Sequence, residues 1–137
     1  MSTAIENLKA ALERAAAVRP RVGGFPYLAE ALRQAGVSAV RCTVPAGISV
    51  YITDAGPVVT RTTPILEGMA DIAPWDEEAL TAAIRADQAG RTSYPEFIDG
   101  CWNAGVLHYE VDLNARTCTY NGALGDAYTE SYPSVSI

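Results

Sequence analysis

The single histidine of this chain is followed by two carboxylates at two-residue steps. His108, Glu110 and Asp112 lie in the stretch AGVLHYEVDLNARTCTY (104–120). On a β-strand, side chains at i, i+2 and i+4 share a face, so a strand would align the three in a row. Imidazole beside carboxylates is the chemistry of acid–base catalysis or metal binding. The row is therefore a weak catalytic candidate, and the solvated face of a sheet is its alternative.

Metal and cofactor sites are not predicted. Neighbouring side chains on one strand face project in parallel, whereas a metal ion needs three or four converging ligands. The motifs G-x-x-x-x-G-K, G-x-G-x-x-G, G-x-S-x-G and H-E-x-x-H do not occur. The three cysteines form no C-x-x-C pair, so they are interpreted as reduced thiols: Cys42, Cys101 and Cys118.

An internal repeat organises the chain. Residues 25–56 align with 94–125 at an offset of 69, with seven identities and no gap, among them Pro26/Pro95, Gly36/Gly105 and Tyr51/Tyr120. Such self-similarity predicts a duplication within one domain, 1–137. Repeat 1 would span 3–63 and repeat 2 would span 74–133, with PILEGMADIAP as the connection.

Each repeat is predicted to be an α-α-β-β-β unit. Capping-box spacing occurs at Thr3 with Glu6 and at Ser93 with Glu96. Gly36 and Gly105 stand where a helix end requires a positive φ. After each glycine the apolar period changes from 3.6 to 2, which indicates strands. The predicted inner-face residues are Val40, Cys42 and Val44 in repeat 1, and Tyr109, Val111 and Leu113 in repeat 2.

These elements predict an α+β fold, in which helices cover one antiparallel sheet or two apposed sheets. The positions of the His108 row read Ala39, Arg41 and Thr43 in repeat 1, so the row is not duplicated. That favours an exposed face over a site. If the repeats pair around a pseudo-twofold axis, Arg41 would meet Glu110 or Asp112; the alternative is unrelated solvated charges.

Three aromatic residues are candidate contacts for a ligand or partner, together with Arg41. Tyr51 and Tyr120 occupy the same repeat position, where cross-strand packing competes with ligand stacking. Trp102 corresponds to Arg33 in the other repeat. It is therefore a candidate for an oligomer interface, and a homodimer is one alternative.

The second half resembles a known family. An aromatic-Pro helix start, Ala-Gly-Val, HYEVD, RTCTY and DAYTESYP are similar to the YbcV-like family of uncharacterised bacterial and prophage proteins, often labelled "phage envelope protein". The resemblance implies no activity, catalytic residue or cofactor. This chain has TYNG where Tyr-Tyr-Gly is commoner, so Asn121 replaces a second tyrosine.

Composition limits the partners. The 137 residues are 49% hydrophobic, which argues against wholesale disorder, and carry a net charge of −6, which argues against nucleic-acid or anionic-membrane binding. Residues 1–69 carry +2 and residues 70–137 carry −8. The charged N-terminal stretch does not look like a secretory signal, and with the free cysteines it predicts a cytoplasmic protein.

The favoured function is a non-enzymatic module that binds a protein or small molecule, through a groove between the repeats or through the exposed sheet face. Two alternatives stay open. One is an enzyme using His108 with Glu110 or Asp112 as acid–base groups. The other is a prophage or virion structural protein, which depends on the family label alone.

Overall fold

The structure is a computed structural model that describes residues 2–137, and within it two halves have the same order of elements. The first half contains α1 (Thr3–Val18), α2 (Phe25–Gln34), β1 (Val37–Thr43), β2 (Ile48–Thr53) and β3 (Val58–Arg61). The second contains α3 (Glu77–Gln88), α4 (Tyr94–Asn103), β4 (Val106–Asp112), β5 (Thr117–Gly122) and β6 (Ala127–Ser131). The predicted α+β class is confirmed.

Most helix boundaries follow the predicted signals. Ser93 and Glu96 form the predicted capping box at the start of α4. At α1 the prediction is wrong by one residue, because Ser2 is the cap and its hydroxyl accepts from the Ile5 amide over 3.2 Å. Gly36 and Gly105 both have φ +91°, a backbone conformation that is unfavourable for residues other than glycine.

The six strands form one antiparallel sheet in the order β3-β2-β1-β4-β5-β6, rather than two apposed sheets. The halves meet at β1 and β4, where Arg41 lies directly opposite Glu110. These two residues are also 69 positions apart, the offset of the predicted repeat. The sheet is thus arranged symmetrically about this pair, while the ancestral duplication and its repeat boundaries stay predictions.

The helices cover one face of the sheet, and the core lies between them. All six predicted inner-face residues of β1, β4 and the positions just after them are buried. Helix side chains meet them from the other layer; the larger buried ones include Leu8, Leu32, Leu80, Ile84, Phe97 and Cys101. No helix in residues 2–137 is both long and apolar enough to cross a membrane.

An ion pair ties the helix layer to the β6 edge of the sheet. The Arg85 guanidinium donates to both carboxylate oxygens of Glu130, over 3.0 and 2.6 Å, and the Tyr128 hydroxyl donates to the same carboxylate over 2.6 Å. The hydrogen bonds from Arg85 hold the pKa of Glu130 below its usual value. The contact fixes α3 over the last strand.

We expect Leu80→Ala to destabilise the protein by about 2–5 kcal/mol, because it would leave a cavity at a fully buried position. Urea unfolding followed by circular dichroism would measure the change. Leu124→Ala is the matched control, because Leu124 is 92% exposed and its loss should change the free energy of unfolding by no more than about 0.5 kcal/mol. Equal effects of the two substitutions would contradict this description of the core.

Candidate functional site

The sheet face opposite the helices is open, and strand register shows which side chains share it. Directly paired residues of neighbouring strands point to the same side. Arg41 and Glu110 are exposed or half-buried, so every residue in register with them belongs to this outer face. Its central row reads Val59, Val50, Arg41, Glu110, Thr119 and Thr129 from β3 to β6.

The predicted row on β4 lies on this outer face, but its members do not converge. The His108 side chain is exposed and has no hydrogen bond or ion pair with any residue of the described range, 2–137. Glu110 pairs with Arg41. The Oδ1 atom of Asp112 accepts from the backbone amides of Asn114 and Ala115, over 3.1 and 2.9 Å, and so supports the β4–β5 turn. The three side chains therefore have separate surroundings, and the structure brings no acid–base pair together.

The predicted contact between Arg41 and Glu110 is present. The Arg41 Nε donates to Glu110 Oε1 over 2.9 Å, while the two side chains remain 61% and 44% exposed. The sequence left Asp112 as the other acceptor, but Asp112 lies opposite Ala39. At this exposure an ion pair contributes about 0–1 kcal/mol, so its role is orientation at the junction of the halves.

Among the depressions on the described surface, two shallow ones each belong to a single half. One, of about 380 Å³, lies on α3 beside Glu77, Thr81 and Arg85. The other, of about 350 Å³, lies between α1 and α2 beside Asn7, Arg14 and Gln34. Neither lies between the halves, where the sequence suggested a binding groove. Within residues 2–137, no three His, Cys, Asp or Glu side chains are grouped so that they could hold a metal ion.

The candidate aromatic residues pack toward the helix side. The Tyr120 ring is buried and lies 5.6 Å from the Tyr109 ring and 6.4 Å from the Phe97 ring, centroid to centroid. Tyr51 and Trp102 are partly buried against the same core. Tyr120 packs across the strands against Tyr109, and Tyr51 lies opposite Val40 and Val58. The proposed roles of these residues in binding a ligand or an oligomer partner stay predictions.

Burial keeps the thiols and hydroxyls of this core protonated and therefore unreactive. Desolvation raises the pKa of the Cys101 and Cys118 thiols to about 12, and also raises that of Cys42. Tyr94 lies at the edge of this core and is 53% exposed, but its hydroxyl shares a 2.7 Å hydrogen bond with that of buried Tyr109, and desolvation there raises the pKa of Tyr94 to about 12. These groups stay protonated near neutral pH, so the thiols are not activated nucleophiles.

A feature that sequence reasoning missed is the aliphatic character of the outer face in the first half. Positions in matching register differ in chemistry between β2–β3 and β5–β6: Ile48 against Thr117, Val50 against Thr119, Ile52 against Asn121, and Val59 against Thr129. The signal was available, because ISVYIT alternates between an aliphatic set and the set that contains Tyr51, and Tyr51 occupies the repeat position of Tyr120. We call Ile48, Val50, Ile52 and Val59 the aliphatic patch.

The protein is thus a small α+β protein whose six-stranded sheet is covered by helices on one side and open on the other. The chain belongs to the family described as "Protein of unknown function (DUF1398)", whose model matches residues 14–130. Uncharacterized proteins of Mycobacterium tuberculosis and Mycobacterium bovis are 50% identical to it over 135 residues, which cover 98% of this chain and 82% of theirs. These names carry no phage label, so that label and the YbcV-like resemblance stay predictions.

A double-mutant cycle on Arg41→Ala and Glu110→Ala should give a coupling free energy of about 0–1 kcal/mol that shrinks as salt is added. The exposed pair is screened by solvent, which limits its strength. Urea unfolding at low and high salt would measure it. A cycle on Arg41 and Asp112 is the control and should show weaker coupling. Coupling above about 3 kcal/mol would contradict an exposed, orienting pair.

Proposed function

We propose that this protein is a non-enzymatic binding module whose binding surface is the outer face of the first half of the sheet, formed by β1, β2 and β3. The observation that carries the proposal is the contrast between the two halves at matching register. On the open face, Val59 of the aliphatic patch is exposed and its other three residues are half-buried, while threonine and asparagine occupy the same positions on β5 and β6.

The contrast matters because the fold does not require aliphatic side chains there. The second half builds the same three-stranded unit with polar residues at these positions. Val59 is 64% exposed on an edge strand, and no helix covers it. Apolar area left in water forgoes about 25 cal/mol per Å² of burial. Contiguous apolar patches on an open face are often binding surfaces, whereas singly scattered apolar residues are common on any protein.

Other functions receive less support. The enzyme alternative requires His108 to meet a carboxylate, yet its nearest neighbours across the strands are Thr43 and Asn121. The groove alternative draws no support from the two depressions described above, since each lies within one half. A structural role in a virion has no specific observation in its favour.

Photo-cross-linking in cells that express the protein tests the proposal. With p-benzoylphenylalanine in place of Val59, we expect a covalent adduct with a partner, because this position lies at the exposed margin of the aliphatic patch. The same replacement of Thr129, at matching register on the other edge, is the control and should give little adduct. Cross-linking from position 129 alone, or equally from both, would contradict the assignment of the surface to the first half.

A further inference from the structure

We propose that the occupant of the aliphatic patch is a single amphipathic helix of a partner protein, with an aliphatic stripe flanked by carboxylates. This inference rests on the proposed function, since it names the kind of partner that the outer face of β1–β3 would bind. It follows from the size of the patch, from its charges and from the way this fold covers the opposite face.

The outer face of β1, β2 and β3 has the dimensions of one helix. Three strands at about 4.8 Å spacing and six residues at about 3.3 Å rise give a face of roughly 14 by 20 Å, and the aliphatic patch occupies its β2 and β3 side. A helix is about 10–12 Å wide, and about 13 residues span 20 Å at 1.5 Å per residue. The inner face of the same strands is covered by helices, so a helix is also the element that this sheet already accommodates.

The charges on this half of the face are all positive. Among the outward positions of β1, β2 and β3 the charged residues are Arg41 and Arg61, which lie on the β1 and β3 sides of the patch. Arg41 already forms an ion pair with Glu110. Arg61 has no ion pair in the part of the chain that the structure describes. A helix lying along β2 would therefore be favoured by carboxylates beside its apolar stripe, above all on the Arg61 side.

A second copy of this chain fits less well. A stable protein interface buries about 800 Å² on each partner, about three times the roughly 280 Å² of this three-strand face. Extending the contact over the whole outer face would bring in the polar half, with His108, Glu110 and Asp112.

Binding of two synthetic 14-residue helical peptides, followed by ¹⁵N NMR, tests the inference. Both peptides carry leucine at positions i, i+3, i+4 and i+7; one is flanked by glutamate and the other by lysine. We expect the glutamate peptide to shift the NMR signals of backbone amides of β2 and β3.

The double variant Val50→Thr/Val59→Thr should weaken the binding of the glutamate peptide about tenfold. Arg61→Glu should reverse the preference between the peptides, and Thr129→Ser, on the other half of the same face, should change neither.

Three results would overturn the inference. No amide shift with either peptide up to about 1 mM would exclude a helix of this chemistry. Equal binding of both peptides, unchanged by Arg61→Glu, would exclude the carboxylate requirement. Concentration-dependent dimerisation in sedimentation velocity, lost in Val50→Thr/Val59→Thr, would identify a second copy as the occupant. That last result would leave the proposed function intact, whereas the absence of cross-links from position 59 would remove it.

Discussion

The pairing of β1 with β4 is the contact on which the rest of the structure depends. Both strands are central, so their backbone amides and carbonyls must find partners in each other. Their antiparallel register sets Val40 opposite Val111 and Cys42 opposite Tyr109 on the buried side. It sets Arg41 opposite Glu110 on the open side. A slip by one residue would turn each inner side chain out to solvent, so burial of these four enforces the register.

The two faces of the sheet that is built around this strand pair have different roles. The side facing the helices holds aromatic rings and thiols in a dry core, where burial keeps them protonated and unreactive. The open side is free of those packing demands. There the second half carries the polar residues expected of a wet face, and the first half carries the aliphatic patch. The two halves share their order of elements and their strand register, and this difference in side chains is the observation on which the proposed binding surface depends.

Much of the fold could be predicted from local signals. Alternation on β1 and β4 identified the inner faces, and Gly36 and Gly105 marked the helix ends, because these features depend on neighbours in sequence. The contact of Arg41 with Glu110 came from assuming symmetry between the repeats. Contacts between distant elements escaped prediction: Arg85 and Glu130 are 45 residues apart, and no local pattern joins them. The separation of His108 from the carboxylates could not be predicted either, because it depends on the register of three strands.

The central claim is that the outer side chains of the first half serve binding and not folding. Neighbouring valines on β3 test it most directly, because Val58 points inward and is 8% exposed, while Val59 points outward and is 64% exposed. The free energy of unfolding should fall by about 1–3 kcal/mol in Val58→Thr, where a hydroxyl is buried. It should change by no more than about 0.5 kcal/mol in Val59→Thr. An equal loss in the two variants would show that the patch belongs to the protein's own core, which would contradict the account.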